Sequence, residues 1–409
     1  MRPKFKHLRH PLQAAAIARR VASVYLEMRR FGARGRRQFR GDARYDLENV
    51  SRGFASRPDD LSGDGDLLER ICTAYNKAVQ QEEFAPGAYR ATEWWQEVRR
   101  ERLGAVIHAL RTYDIDALAR MYGNFFRDAC GAGLIGVPYG MTEAYFGGPI
   151  RDIHRHYYMS DALYRIDYWT MQTGGRFSLR DLAGPEIGNP FGVWIDGTLV
   201  RTGSVYQHYA AQKVRSCLSP EAGVVAEIGG GFGDMAYYLL RDREGVRYLD
   251  FDVPESVALT SYYLMKTFPH LQFLLYGERE FTREEIDRSD VVLMPLFEFE
   301  NMPSASVDVA FSSHAMSDIS SDFMGDYLNP VARMTRSYFL YMGTRGAVET
   351  ISNVITQRRY GFRLAETNPA GWHTHKCSDV REVECLYRMG GPAKPTRKYA
   401  GSEALHQQI

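Results

Sequence analysis

The chain has no apolar run near the ~20 residues a membrane span needs, so no transmembrane segment is expected in its 409 residues. Its basic start is followed by no continuous apolar stretch and no small-residue cleavage site, so a secretion signal is not expected either. Cysteine is scarce: Cys72, Cys130, Cys217, Cys377 and Cys385 are odd in number, widely spaced and form no C-x-x-C. That pattern indicates neither a zinc module nor a disulfide framework and fits reduced thiols in a cytoplasmic protein. Acidic residues are nearly missing from residues 1–40, where twelve Lys or Arg meet Glu27 alone, leaving the remainder at −10. Such a basic arm suits nucleic acid, anionic lipid or an acidic glycan, although charge runs are more often solvated faces, here of a helix packed on the acidic body.

What is present first is helical periodicity. Leu12, Ile17, Val21, Val24, Tyr25, Met28 and Phe31 predict an amphipathic helix over 12–31. Gly32 to Ser62 is rich in Arg, Gly and Asp and reads as a loop or linker. Helical spacing returns at Asp66, again from Thr92 to Leu110, and from Asp114 to Cys130, with Thr92 and Asp114 as caps. Residues 1–130 thus read as a helical domain with a basic arm, in which Trp94 and Trp95 read as packing.

Residues 131–215 read as a connecting or lid region. It opens on the glycine-rich break Gly131 to Gly140. Eight aromatics follow within 139–169: Tyr139, Tyr145, Phe146, Tyr157, Tyr158, Tyr164, Tyr168 and Trp169. Such rings suit stacking on sugars or an interdomain core about equally. His154-x-His156 lacks a placed carboxylate, so no metal set is assigned, and whether a divalent metal is needed stays open. Gly188 to Gly192 marks a turn, and Val193 to Val200 a hairpin about Asp196-Gly197. A helix from Ser204 to Cys217 brings Tyr206 or His208 over a ligand, or simply packs on the sheet.

From Val224 the pattern alternates strand and helix, which predicts an α/β fold with a mostly parallel sheet over residues 216–392. Val224–Ile228 is the first strand, Val246–Phe251 the second and Val307–Phe311 the fourth. Leu271–Leu275 and Val291–Met294 compete for the third. Tyr338–Met342 is the fifth, and Phe362–Glu366 with Val383–Tyr387 would make an antiparallel pair. The tail, 393–409, is rich in Gly, Pro and Lys and reads as frayed.

Between the first strand and its helix lies Glu227-Ile228-Gly229-Gly230-Gly231-Phe232-Gly233. Glycines let a backbone touch a ligand, and a helix start adds free N–H groups. The acid in front would repel a pyrophosphate but suits a cationic ligand. S-adenosylmethionine, with its sulfonium and ammonium, is therefore the expected cofactor. Glu227, Gly229, Gly231 and Gly233 form the first part of its site. Asp252, nineteen residues past Gly233, can accept ribose hydroxyls, and Val253 adjoins it. Pro295-Leu296-Phe297 is apolar enough to flank an adenine, with Glu298 and Glu300 near its amino group. Ser312-Ser313-His314 sits past the fourth strand, where ligands bind in open α/β sheets, so Ser312 joins the cofactor set and His314 can take a proton. Asp318, one turn on, could orient the imidazole; His373 and His375 are competing bases.

Glu227 to Gly233, Phe251-Asp252-Val253-Pro254 and His314 resemble class I S-adenosylmethionine-dependent methyltransferases, and the layout resembles the sugar O-methyltransferase family. The features behind the second likeness are Gly188-Asn189-Pro190, Asp196-Gly197, the glycine loop and Asp252-Val253-Pro254-Glu255, over roughly residues 185–390. His314-Ala315-Met316-Ser317-Asp318 also resembles the His-Asp-Trp-Ser-Asp run of plant small-molecule O-methyltransferases, lacking its first Asp and its Trp. The resemblance implies a Rossmann-like methyltransferase fold, the methionine moiety on Glu227 and the glycines, ribose on Asp252, and His314 as general base. The implied acceptor is a hydroxyl of a sugar, glycosylated small molecule or glycan. Three rivals stand beside this reading. One is a nicotinamide oxidoreductase, since Gly231-x-Gly233-x-x-Ala236 fits a dinucleotide fingerprint. Another is a nucleic-acid methyltransferase using the basic arm, disfavoured because Ser-Ser-His replaces the Asn/Asp-Pro-Pro run of adenine N6 enzymes. The third is a non-catalytic cofactor-binding scaffold. The reading leaves room for a homo-oligomer.

Overall fold

The computed structural model describes residues 11–58, 63–135, 150–220, 223–372 and 382–390. Its N-terminal part is helical: α1 (Pro11–Gln38), α2 (Leu47–Phe54), α3 (Gly65–Glu82), α4 (Glu93–Glu101), α5 (Gly104–Thr112), α6 (Ile115–Tyr122) and α7 (Asp152–Gln172). Side-chain caps start several of them. Thr92 Oγ1 accepts from Trp95 N at 3.3 Å and Asp114 Oδ1 from Ala117 N at 3.1 Å, as expected.

The stretch expected as a linker is not one. α1 runs seven residues past Phe31, and α2 follows with Asp46 as its cap. The signal was hidden because, past Phe31, α1 meets α7 through glycine rather than through apolar side chains. A Cβ on Gly32 would sit 3.0 Å from His156 Cβ, and one on Gly35 would sit 2.0 Å from Ser160 Oγ. The run Thr92 to Leu110 is likewise two helices, broken at Arg102-Leu103, where Leu103 is fully buried. The last predicted N-terminal helix stops at Tyr122, and Phe125 and Phe126 turn inward onto Phe232 at 5.3 and 5.2 Å between ring centroids.

The hairpin is β1 (Gly192–Ile195) and β2 (Thr198–Arg201), closed by Asp196 and Gly197, both at positive φ. Asn189, in the preceding turn, ties segments together. Its Oδ1 accepts from Arg57 N, and its Nδ2 donates to Ser56 and Asn124. After α8 (Ser204–Ser216) comes the sheet-forming part: β3 (Gly223–Ile228), α9 (Asp234–Asp242), β4 (Val246–Asp252), α10 (Pro254–Thr267), β5 (Phe273–Leu275), α11 (Arg283–Arg288) and β6 (Val291–Pro295). It continues with β7 (Val307–Ser313), α12 (Met324–Met334), β8 (Thr335–Thr344), α13 (Arg345–Arg358), β9 (Phe362–Pro369) and β10 (Glu382–Met389).

The strand order is β5-β6-β4-β3-β7-β8-β10-β9, parallel except that β10 runs against both neighbours. This is the Rossmann-like sheet with an antiparallel last pair that the sequence predicts. Of the two rivals for the third strand, Val291–Pro295 lies beside β4 and Phe273–Leu275 is an added edge. The order reverses at β3, whose neighbours are β4 and β7, and a crevice opens at such a switch point outside the strand ends. One apolar cluster joins the N-terminal helices to one face of the sheet; a second fills the other face. Among the described residues no helix is long and apolar enough to cross a membrane.

Candidate active site

The glycine turn after β3 is shaped by close approach. Gly229 sits at φ 78°, and a Cβ there would lie 2.2 Å from Ala315 Cβ. A Cβ on Gly230 would lie 2.6 Å from Asp250 Oδ1. So the turn presses on the His314–Ala315 corner on one side and on β4 on the other. Gly230 N donates to Asp250 Oδ1 at 3.0 Å and Gly231 N to Asp252 Oδ2 at 3.1 Å. Gly231 O accepts from Thr260 Oγ1, which fastens the turn to α10.

A cavity of about 380 Å³ lies over this turn, within the range of small-molecule and cofactor sites. Its floor is Glu227, Gly229, Gly230, Gly231, Asp252, Val253 and Leu296. Ser313, His314 and Ala315 form a second side, and Thr202, Gly203, Tyr206 and Gln207 at the start of α8 a third. The N-terminal part closes it with Arg90, Thr92, Trp94, Trp95 and Leu134, and α7 contributes Arg165.

Three carboxyl groups crowd at and beneath the floor. Glu227 is buried, and its Oε2 accepts from Tyr248 Oη at 2.6 Å. Burial lifts its carboxyl to about 8, against the pull of the Tyr248 hydrogen bond and with help from Asp252. Burial also raises Asp252, although Ser256 Oγ, Val253 N and Gly231 N all donate to it. Asp250 is raised well above the usual carboxylate range by burial and by its two acidic neighbours. Its side chain does not line the cavity; it braces Gly230 from beneath.

His314 stands at the end of β7 at φ 58° and ψ −33°, a backbone geometry rare for a residue with a Cβ. Neighbours hold it there: its N–H donates to Met342 O at 2.9 Å and its carbonyl accepts from Ser317 N at 2.7 Å. Such strain persists only when the surroundings over-determine it. The imidazole is 43% exposed and faces the cavity, with Nε2 3.8 Å from Glu382 Oε1 on β10. Tyr206 lies beside it at 6.0 Å between ring centroids, its hydroxyl 2.7 Å from Ser313 Oγ.

The expected site residues divide accordingly. Glu227, Gly229, Gly231, Asp252, Val253, Leu296 and His314 line one cavity. Gly233, Phe297 and Ser312 do not. Gly233 is the N-cap of α9, packed against Thr260 and Leu264. Phe297 turns away onto Tyr276, at 5.4 Å between centroids. Ser312 is fully buried, donating to Ile228 O at 2.9 Å, and strand alternation gives the cavity to Ser313 instead. Neither Glu298 nor Glu300 lines it. Backbone of the short 3₁₀ turn Ala315–Asp318 follows His314, but the Asp318 side chain lies outside the described residues, as do His373, His375, Tyr139, Tyr145 and Phe146.

Other expectations are corrected. His208 is buried among rings, accepts from Trp169 Nε1 at 3.1 Å and is pushed down to about 4 by burial, so it packs and does not reach the cavity. His154 and His156 do not converge: the first meets Arg151 N, the second Tyr45 Oη. Among the described residues no cluster of three metal-ligating side chains occurs. Trp94 and Trp95 were read as packing, yet both line the cavity, and Trp94 is 50% exposed. Trp95 is held by Glu255 at the start of α10, which also binds Arg99 at 2.8 Å. Sequence reasoning gave no site role to Glu382, Ser313 or Arg90. Only Ser313, next to His314, carried a local signal.

Neither a family model nor a curated protein matches the chain. Solved structures do. The chain is similar to mitomycin 7-O-methyltransferase MmcR at 17% identity, over 46% of this chain and 55% of that one, with a TM-score of 0.31. The chain therefore spans about half the length of that relative. It is also similar to magnesium protoporphyrin IX methyltransferase from Synechocystis PCC 6803 with bound SAM, at 10% identity over 56% and 97% of the two chains, TM-score 0.35. A third likeness is to the N-methyltransferase NodS from Bradyrhizobium japonicum WM9 in complex with S-adenosyl-L-homocysteine, at 12% identity over 46% and 88%, TM-score 0.32. At such identities and scores, activity and acceptor have to be argued from the site itself.

Proposed function

We propose that the protein is an S-adenosylmethionine-dependent O-methyltransferase acting on a hydroxyl of a sugar, glycosylated small molecule or glycan. The observation that carries the reading is that Glu227, the glycine turn and Asp252 line the same cavity as His314. The floor fits the cofactor chemically. A buried carboxyl held neutral at pH 7 can ionise against a cationic ammonium or sulfonium, whereas a pyrophosphate would gain nothing from Glu227 and Asp252, which both line the cavity. Asp252 has three donors on a group with about four acceptor sites, which leaves room for a ribose hydroxyl. Leu296 and Val253 supply apolar surface for the adenine.

S-adenosylmethionine, when bound, supplies an electrophilic methyl on a sulfonium. The chain's own residues supply alignment and a base. Tyr206, Trp94, Gln207 and Arg165 offer flat faces and polar edges to a ring-shaped acceptor. His314 accepts the hydroxyl proton, and Glu382 behind it stabilises the imidazolium that results. Glu382 is the orienting carboxylate that the described residues offer to His314. Free thiols at Cys72, Cys130, Cys217 and Cys385 accord with a cytoplasmic place of action.

The test has two arms. Calorimetry should detect S-adenosylmethionine and not NADH; tight NADH binding without S-adenosylmethionine binding overturns the cofactor. Mass spectrometry across glycans, glycosides and RNA should show the gain of one methylene on a sugar hydroxyl; methylation of RNA alone overturns the acceptor.

A further inference from the structure

We propose that the solvent face of α1 is a docking surface for an anionic lipid leaflet. The helix carries one acid, Glu27, and most of its described arginines are exposed. Met28, Phe31, Gly32 and Gly35 are buried, while Arg19, Arg29, Arg30, Arg34, Arg36 and Arg37 are exposed, as is Arg40 just past the helix end. At about 100° per residue, Arg19, Arg30 and Arg37 fall on one stripe, and Arg29 and Arg36 on a second beside it. From Arg19 to Arg37 the rise is about 27 Å. So the charge forms a straight, two-row face, not a disordered tail.

These charges are not consumed internally. Among the described residues none of Arg19, Arg29, Arg30, Arg36, Arg37 and Arg40 is in an ion pair. Past the helix end, Arg44 and not an arginine of α1 binds Asp42 at 2.7 Å and Asp167 at 2.8 Å. A helix whose arginines neutralised the acidic body would show the opposite.

Charge complementarity sets the class of partner, and the neighbours of the arginines choose within it. Between the two stripes lies Leu26, 48% exposed, which suits a headgroup boundary. The one aromatic at the edge of the stripes, Tyr25, is half-buried and turned onto His154 at 6.0 Å between ring centroids, so no free ring or amide stands among the arginines to stack on or read bases. The rest of the chain carries −10, so repulsion turns the body away from an anionic sheet and leaves α1 facing it. The apolar face of α1 is occupied by α7, as in the T-shaped pair Phe31–Tyr157 at 5.2 Å. Docking is therefore electrostatic and reversible, without insertion of the helix.

The experiment is co-sedimentation of the full chain with phosphatidylglycerol–phosphatidylcholine vesicles and with pure phosphatidylcholine vesicles. Binding to the anionic vesicles should be at least about tenfold stronger and should be lost near 1 M salt, where the Debye length is about 3 Å. The variant Arg30→Gln, Arg36→Gln, Arg37→Gln alters only exposed positions. At ~1 kcal/mol per basic side chain near an anionic leaflet, about fivefold each, it should weaken binding by about a hundredfold with unchanged circular dichroism and Tm. Equal binding to both vesicles, undiminished binding by the variant, or release by RNA or an acidic polysaccharide bound more tightly than the vesicles would overturn the proposal.

Discussion

Binding of S-adenosylmethionine at pH 7 should release close to one proton, and Glu227 should be its source. The carboxyl is held at about 8 in the free protein by burial. At pH 7 only about a tenth of it is ionised. A cationic ligand needs the ionised form, so binding first bears the cost of removing that proton, about 1.4 kcal/mol or tenfold in affinity at pH 7. At pH 6 the cost is about twice that, so affinity should climb roughly tenfold per pH unit from 6 to 7.5 and level off above 8. Glu227→Gln keeps an acceptor for the Tyr248 hydroxyl and resembles the neutral acid, so the variant should fold. It should bind more weakly, without the proton release. The assay is isothermal titration calorimetry in buffers of different ionisation enthalpy, at several pH values, on both proteins. Comparing the two subtracts the titration of the ligand's own amino group. An equal proton count in wild type and variant, or an affinity that rises as pH falls from 8 to 6, would refute the reasoning.

His314→Ala should keep S-adenosylmethionine binding within about twofold and lower kcat by ~10²-fold or more, the usual worth of a general base. Glu382→Gln should lower kcat less and shift the acid limb of its pH profile, since it acts through the imidazole; an unchanged profile removes it from the site. Gly229→Ala should cut turnover strongly, because its Cβ would overlap Ala315 at 2.2 Å, and adding Ala315→Gly should relieve the overlap but not the positive φ, so rescue in a kinetic double-mutant cycle should be partial. Without ligand, the protein should lose stability as pH rises. Glu227 has a folded pKa above its unfolded value of 4.5, so its contribution is complete below 4.5 and is lost as pH passes through about 8. The change is at most on the order of 5 kcal/mol, and denaturant melts of Glu227→Gln should be flatter over that range. Phe125→Ala should cost ~3–5 kcal/mol, the range for emptying a fully buried phenylalanine, and should lower Tm, since Phe125 packs on Phe232 beside the glycine turn.

The cofactor half of the site was legible because its signals are local. An apolar strand, an acid, a glycine turn and a helix start occupy one short run from Val224 to Leu240, and Asp252 closes the next strand. Strand alternation could also have separated Ser312 from Ser313, yet the reading chose the buried one. The far walls of the cavity were less legible, Tyr206 apart, because they come from α4, α7 and α8 and from the loop at Leu134. Nothing in Trp94 or Arg165 by itself says that it will meet His314. Glycines also misled: Gly32 and Gly35 looked like a break in α1 and are the contact that lets it lie against α7.

The sequence by itself therefore determined the alternation of strand and helix after Val224, the acid-and-glycine turn and Asp252 at the end of the next strand, since hydrophobic period and glycine placement act over a few residues. Only the tertiary structure decided which histidine faces the cavity among those described, that Glu382, distant in sequence, lies beside it, and that the described arginines of α1 are exposed. Those outcomes depend on packing between segments far apart in the chain, where burial and excluded volume, not local preference, choose the partner.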